Sequence, residues 1–226
     1  MEEEKSVLRW GGLAGILGGI IFILVFVIVI VFVGLDPAEP EGEVMRFPDI
    51  RAARTVEDSL YLLVLILWVA HFLALYRALR RTSLAPALFG SVLGIVGLGV
   101  LAAGALPHVA TAPISDLYHA RGATPEDQET LVLLWQATEG IFDALFGVGL
   151  LLVPIGFIAL GVAMLGAPAF GRGFGGVSVV LGVVGVVAAS VLLVDPLSPS
   201  AFVGVLALIV FHLVVGWKVY SLSRGL

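Results

Sequence analysis

Residues 11–35 read GGLAGILGGIIFILVFVIVIVFVGL, an apolar run of 25 residues without a charged side chain. As a helix this run is about 37 Å long, which is enough to cross a hydrocarbon core about 30 Å thick. It is also longer than the roughly 7 to 15 apolar residues of a signal peptide, and no A-x-A cleavage pattern follows it. The run therefore predicts a retained transmembrane span.

The composition of the whole chain agrees with a membrane protein. Hydrophobic residues make up 60% of the 226 residues, mean hydropathy is +1.12, and charged residues make up 13%, against about 25% in soluble domains. The absence of cysteine excludes disulfides, thiolate metal sites and cysteine nucleophiles. A net charge of −5 argues against a nucleic-acid partner.

Further apolar runs, each bounded by charged or turn residues, bring the expected number of spans to six. The predicted fold is an all-α polytopic transmembrane bundle that forms a single membrane domain over residues 1–226. The spans are expected near residues 10–34, 58–77, 85–106, 143–165, 174–194 and 199–219.

The basic residues predict which side of the membrane the termini occupy. Six spans place eight of the twelve Lys and Arg residues on the side of both termini and four on the other side. Because cytoplasmic segments carry the excess of Lys and Arg, both termini are expected in the cytoplasm. We expect the protein to lie in a bacterial inner membrane.

Two segments are expected outside the membrane, at residues 36–57 and 107–124. The sequence Thr124-Pro125-Glu126-Asp127 indicates a helix start, because a Thr hydroxyl can accept a free backbone N–H and acids favour the N-terminal end of a helix. The helix of span four is therefore expected to begin near residue 125. The second outer segment also contains His108, Asp116 and His119, whose spacing matches no established metal motif, so a solvated loop is predicted there.

A weak internal repeat relates the two halves of the membrane domain. Residues 72–90 align with residues 157–175 at an offset of 85 without a gap, and six of the nineteen positions are identical. If this is a duplication, spans two and three form a helical hairpin that spans four and five repeat in parallel. The inverted-repeat plan of many transporters is then not supported.

Polar side chains near the membrane are the first place to look for function. Gln136, Glu139 and Asp143 fall on one face of a helix, and the repeat aligns Asp143 with Asp58 at the outer start of span two. Counting back from the inner end of span four places Asp143 at the outer boundary. The alternatives are a solvated face, an outward-facing polar pocket that also includes Asp58, and a buried ion site.

Two histidines are expected at equal depth inside the bundle. His71 and His212 each precede a basic residue by six positions, at Arg77 and Lys218, which places both about 9 Å inside the cytoplasmic boundary. Each ring could simply bond to a neighbouring backbone or hydroxyl group. Together the rings could instead share a proton, contact a quinone, hold haem iron axially or ligate another metal. They are the candidate cofactor-binding residues, with haem as the candidate cofactor.

The layout resembles small bacterial six-span membrane proteins classed as a domain of unknown function. The resemblance consists of topology, loop placement and the arginine-bearing turn LYRALRRTS at residues 75–83. It implies no activity and no functional residues.

The chain shows no catalytic motif and no predicted metal site, so a non-enzymatic role is favoured over an enzymatic one. The expected function is an accessory subunit or a small-molecule-binding bundle, with the lipid bilayer, other membrane subunits or a second copy as partners. The alternative function is a redox or proton-coupled membrane carrier that uses His71 and His212.

Overall fold

The computed structural model describes residues 2–34, 37, 39–195 and 198–225, which form six helices and their connections without a strand. All six helices are long and apolar enough to cross a membrane, which confirms the predicted all-α bundle. The helices are α1 (Glu2–Ile28, continued by a π-helical segment over Val29–Val33), α2 (Pro40–Leu79), α3 (Leu84–Tyr118), α4 (Pro125–Leu165), α5 (Gly171–Val194) and α6 (Ser200–Arg224).

Three helices are much longer than a membrane is thick. Helices α2, α3 and α4 have 40, 35 and 41 residues, which corresponds to about 60, 52 and 62 Å against a hydrocarbon core of about 30 Å. Their excess lies at one end of the bundle, at residues 40–57, 107–118 and 125–142. We call this three-helix extension the cap, and we call the opposite end, where both termini lie, the terminal face.

The cap replaces the solvated loop predicted around His108, and that prediction is wrong. Pro107 and Pro113 lie inside α3, where they interrupt the sequence pattern without ending the helix. Proline removes one backbone hydrogen bond and clashes with the preceding turn, but packing against neighbouring helices can support the chain through such positions. His108 therefore sits on a continuous helix, and its side chain is 15% exposed.

The cap has an apolar core of its own, separate from that of the membrane bundle. Trp135 packs edge-on against Phe47 and its indole N–H donates to the Glu43 carboxylate over 3.0 Å. The Tyr118 hydroxyl donates to the Glu41 carboxylate over 3.0 Å. The buried residues of this core are Val44, Phe47, Ile114, Tyr118 and Trp135.

A capping box begins α4 at the position that the sequence indicates. The Asp127 N–H donates to the Thr124 hydroxyl over 3.2 Å, and the Thr124 N–H donates to the Asp127 carboxylate over 2.9 Å. Hydrogen bonds that Thr124 donates to the Asp127 carboxylate lower the pKa of Asp127. The box fixes the start of α4 and therefore the length of its cap portion.

Glycines within residues 11–19 let α1 lie closely against two helices. Gly11, Gly15 and Gly18 face α2, at Ala74, His71 and Trp68 respectively. Gly12 and Gly19 face α6, at Tyr220 and Leu213. Small residues at such spacing allow helix backbones to approach closely. The pairs also show that α1 runs antiparallel to both neighbours.

The two hairpins of the internal repeat have different surroundings. Gly90 packs against Gly156 and Leu160 of α4, outside its own hairpin, whereas the aligned Gly175 packs against Gly161 and Leu165 within its hairpin. The aligned glycines thus have non-equivalent neighbours, and the duplication stays a prediction.

Candidate functional site

Two adjoining cavities lie where the cap meets the membrane bundle. The upper cavity, of about 40 Å³, is lined by residues of α2, α3 and α4. The lower cavity, of about 150 Å³, is lined by residues of α1 and its π-helical continuation, α2, α3, α4 and α6. Asp58 and His108 line both. These two residues therefore form the partition between the cavities.

The imidazole of His108 lies between two carboxylates from different helices. Its Nδ1 atom is 3.4 Å from Asp58 Oδ1 on α2, and its Nε2 atom is 3.6 Å from Glu139 Oε2 on α4. A doubly protonated ring would offer one N–H to each carboxylate. The ring also stacks on Phe142, with centroids 4.0 Å apart. The three polar residues tie α2, α3 and α4 together, and we call them the His108 cluster.

The lower cavity is apolar except at its upper end. Four aromatic rings line it, at Phe22 and Phe26 on α1 and at Phe142 and Phe146 on α4. The remaining apolar lining comes from Val25, Val29, Ala105 and Val205. The polar lining residues are Glu57, Asp58, Tyr61 and His108. Such a cavity, apolar with a few polar groups at one end, is the common form of a small-molecule site.

Tyr61 adds an unpaired polar group to this cavity. Its hydroxyl is buried and has no hydrogen-bond partner among the described residues, although a buried hydroxyl without a partner costs about 1 to 3 kcal/mol. Glu57, one turn away on α2, is already paired with Arg54 over 3.1 Å. The Tyr61 hydroxyl is thus a group on the cavity wall that a ligand could satisfy.

The structure divides the residues predicted to form one outward-facing polar pocket. Asp58 and Glu139 belong to the His108 cluster and line the upper cavity together. Gln136 lines a different pocket, near Glu41 and Glu129. Asp143 lines a third, with Gly140 and Leu192. Among the described residues no group of three or more His, Asp or Glu side chains is arranged to hold a metal ion.

The structure brings His71 and His212 together in the half of the bundle nearer the terminal face. Their ring centroids are 5.0 Å apart, with the rings nearly perpendicular, and Trp68 stacks on His212 at 4.0 Å. Both histidines are fully buried. Within the part of the chain that the structure describes, none of their four ring nitrogens has a hydrogen-bond partner, and neither has the indole N–H of Trp68. We call Trp68, His71 and His212 the histidine box.

The histidine box does not fit haem held by both rings. Two axial imidazoles with nitrogens about 2 Å from one metal would place the ring centroids about 6 Å apart, with the macrocycle between them. Here the centroids are 5.0 Å apart, and Trp68, Phe72 and Phe211 close around the rings. The box therefore suits a proton or another small occupant better than a flat cofactor.

His108 is the site residue that sequence reasoning missed. Pro107 precedes it directly, and the sequence predicts that span three ends at residue 106. A signal was nevertheless available, because small and apolar residues continue as PHVATAPISDLY through residue 118. On a continuous helix, His108 and the predicted Asp58 would both lie near the outer boundary.

Fold and cavities together define a polytopic helical membrane protein with a partly polar cavity where the cap meets the bundle. Residues 56–225 match the family described as Domain of unknown function (DUF4386), which is more than half of the chain, and the protein belongs to that family. The matched range includes the His108 cluster and the histidine box. No curated protein and no solved structure gives a significant match.

Proposed function

We propose that this protein is a small-molecule-binding membrane bundle, and that the lower cavity is its binding site. The observation that carries the proposal is the cavity of about 150 Å³ with aromatic walls, on whose lining the Tyr61 hydroxyl has no hydrogen-bond partner among the described residues. Of the two forms of the expected function, the accessory subunit and the small-molecule-binding bundle, the cavity favours the second.

The lining defines the shape of the ligand. Aromatic and aliphatic side chains surround most of the cavity, so the ligand gains free energy by burying apolar surface there. Hydrogen-bonding groups occur together at the upper end, at Asp58, Tyr61 and His108. The ligand is therefore amphipathic, with a polar end toward the cap and an apolar part toward the bundle centre.

Filling the cavity tests the proposal. Val205 lines the lower cavity and is 4% exposed, so Val205→Phe adds a ring to the cavity. The probe is 4-phenylbutan-1-ol, whose apolar part and hydroxyl match the lining. Its binding is measured by isothermal titration calorimetry with the purified protein in nanodiscs, with empty nanodiscs as the blank. We expect saturable binding that Val205→Phe weakens at least tenfold.

Val203→Phe is the matched control for this experiment. Val203 lies on the same helix but is 45% exposed on the outer surface of the bundle. The control protein should bind the probe like the wild type. Equal binding by all three proteins would contradict the proposal, and so would the absence of saturable binding to the wild type.

Our proposal for orientation places the terminal face in the cytoplasm and the cap outside, in a bacterial inner membrane. The antiparallel helices leave the basic turn residues Arg77, Arg80 and Arg81 at the terminal face, where Arg77 and Arg81 lie 4.0 Å from Glu4. This distribution supports the orientation through the positive-inside rule. Protease protection of a C-terminal tag in inverted and right-side-out vesicles tests it.

A second candidate function is proton-coupled transport through the histidine box. The specific observation in its favour is the pair of adjacent, fully buried imidazoles with four unpartnered nitrogens. Two such rings at one level can pass or share a proton. Its test is proton flux into liposomes followed with an internal pH dye. His212→Leu should abolish flux, whereas Val203→Phe should not; flux equal to that of empty liposomes would reject this candidate.

A further inference from the structure

Two carboxylates of the cavity lining share one base. The charged residues that line the two cavities are Glu43, Glu57, Asp58, Glu139, Arg54 and His108. Glu57 is paired with Arg54. In the His108 cluster, however, one imidazolium faces two carboxylates. Partly buried carboxylates need a counter-charge, because charge without one is costly away from water. A ligand cation that binds at Asp58 therefore competes with the imidazolium for this role.

The walls of the lower cavity suit a cation as well as an apolar group. The aromatic rings of Phe22, Phe26, Phe142 and Phe146 line it, and ring faces attract an ammonium group, most strongly where water is excluded. The α1 and α6 parts of the lining carry no ionisable side chain. The cavity thus offers a negative upper end and rings below it.

We infer that the ligand of the lower cavity is an amphipathic amine in its ammonium form, which binds at Asp58 and displaces a proton from His108. This inference rests on the proposed function and names the ligand class of that same site. The ammonium group takes the place of the imidazolium as the counter-charge of the cluster. The Tyr61 hydroxyl, which has no hydrogen-bond partner among the described residues, can accept one ammonium N–H.

The exchange balances in charge. The bound ligand brings one positive charge into the cluster, and His108 releases one proton to the outer solution, so the net charge of the site is unchanged. The ionisable groups that face His108 are Glu57, Asp58 and Tyr61 on α2 and Glu139 and Asp143 on α4. All four carboxylates carry negative charge when ionised. None of them can therefore supply the positive charge that is lost when His108 releases its proton.

Three probes with the same apolar part separate the ligand classes: 4-phenylbutylamine, 4-phenylbutan-1-ol and 4-phenylbutanoate. Binding of each to the full-length protein in nanodiscs is measured by titration calorimetry. We expect the amine to bind at least tenfold more tightly than the alcohol, and the carboxylate to bind most weakly. Tightest binding by the carboxylate, or equal binding by amine and alcohol, would overturn the inference.

Proton release is measured on the wild-type protein, so it does not depend on how any variant folds. The amine titration is repeated in two buffers of different ionisation enthalpy. The difference in apparent binding enthalpy then gives the number of protons released. Because the probe amine stays protonated below about pH 9, protons released in this range come from the protein. We expect about one proton per ligand at a pH where His108 is protonated, and an affinity that rises with pH by up to tenfold per unit. No proton release between pH 6 and 9 would contradict the exchange.

A matched pair of variants locates the charge that selects the amine. Asp58→Asn should remove the preference for amine over alcohol, while Asp49→Asn, on an exposed part of the same helix, should keep it. If the alcohol binds and Val205→Phe abolishes that binding, but the amine has no advantage, the ligand class is wrong while the proposed function stands. If no probe binds, both fail.

Discussion

The Nδ1 atom of His108 on α3 lies 3.4 Å from the Oδ1 atom of Asp58 on α2, and these two residues separate the upper cavity from the lower one. Their side chains are 15% and 18% exposed. The pair thus forms a polar partition between the cap and an apolar chamber in the bundle. Because Asp58 and His108 line the lower cavity, binding there is expected to be coupled to the protonation of His108.

Replacing His108 should destabilise the junction between cap and bundle. In His108→Gln, Asp58 and Glu139 lose their shared cation, and the repulsion between them remains. We expect the free energy of unfolding to fall by about 1 to 2 kcal/mol, the usual cost of leaving a partly buried charged group without its partner. Thermal unfolding in detergent at pH 7 measures this as a lower midpoint.

His119→Gln is the control for that substitution. His119 lies at the exposed end of α3, where its ring nitrogen contacts the Ser115 carbonyl at 2.8 Å. Its replacement should leave the midpoint nearly unchanged. Equal loss in both variants would show that the His108 cluster contributes nothing specific to stability.

Substitution of Gly15, one of the α1 glycines that face α2, should separate α1 from α2. A Cβ atom at Gly15 would overlap the ring of His71, which is buried and cannot turn away. Overpacking of this kind costs about 1 to 3 kcal/mol, so Gly15→Ala should lower the unfolding midpoint. Gly99→Ala is the control: a Cβ atom there meets no neighbour within 4 Å, and alanine is the better helix former. Equal unfolding midpoints in the two variants would show that Gly15 is not needed for the close packing of α1 on α2.

Trp135 should hold the cap helices together. Trp135→Phe keeps an aromatic ring against Phe47 but removes the N–H that donates to Glu43. We expect faster hydrogen exchange of backbone amides in residues 40–50, because α2 loses a contact to α4 there. Trp10→Phe serves as the control, since Trp10 is 67% exposed. Unchanged exchange in Trp135→Phe would mean that the hydrogen bond does not hold the cap.

The histidine box should carry function rather than stability. Removing buried ring nitrogens that have no partner removes a desolvation cost, so His212→Leu should keep or raise the unfolding midpoint. Phe211→Leu, the adjacent residue in the same aromatic cluster, should lower it, because it loses only apolar contacts. A large loss in His212→Leu would show instead that its ring nitrogens are satisfied in the membrane.

The six helices and their order could be predicted from the sequence, because apolar runs such as residues 11–35 are long enough to be recognised without knowledge of their neighbours. The start of α4 could be predicted as well, since the Thr124 capping box is local. The parts of the cap that α2 and α3 contribute could not be predicted as helix. Pro48, Pro107 and Pro113 weaken the local pattern, and only packing among three helices keeps these parts helical.

The site shows the same division between local and non-local information. Residue counting along each span predicts that His71 and His212 lie at the same depth, but their contact depends on α2 packing beside α6. The predicted outward-facing pocket includes Asp58 and Glu139 but no cation, because the sequence predicts His108 in a solvated outer loop. Gln136 and Asp143 share a helix face with Glu139 but do not line the upper cavity. Trp135 and Phe47 line it beside Glu139. Helix periodicity identifies a face, and the neighbouring helices decide which part of it is enclosed.

Photolabelling tests the central claim, that the lower cavity binds a small amphipathic molecule, most directly. The protein in nanodiscs is irradiated with a ring-diazirine derivative of 4-phenylbutan-1-ol, with and without excess unlabelled alcohol, and the labelled residues are mapped by mass spectrometry. We expect competable label on residues 22–29 of α1 and near Val205 of α6, and its loss in Val205→Phe but not in Val203→Phe. Label that is confined to exposed positions of α5, such as Val180 and Val187, and that excess alcohol does not reduce would contradict the claim.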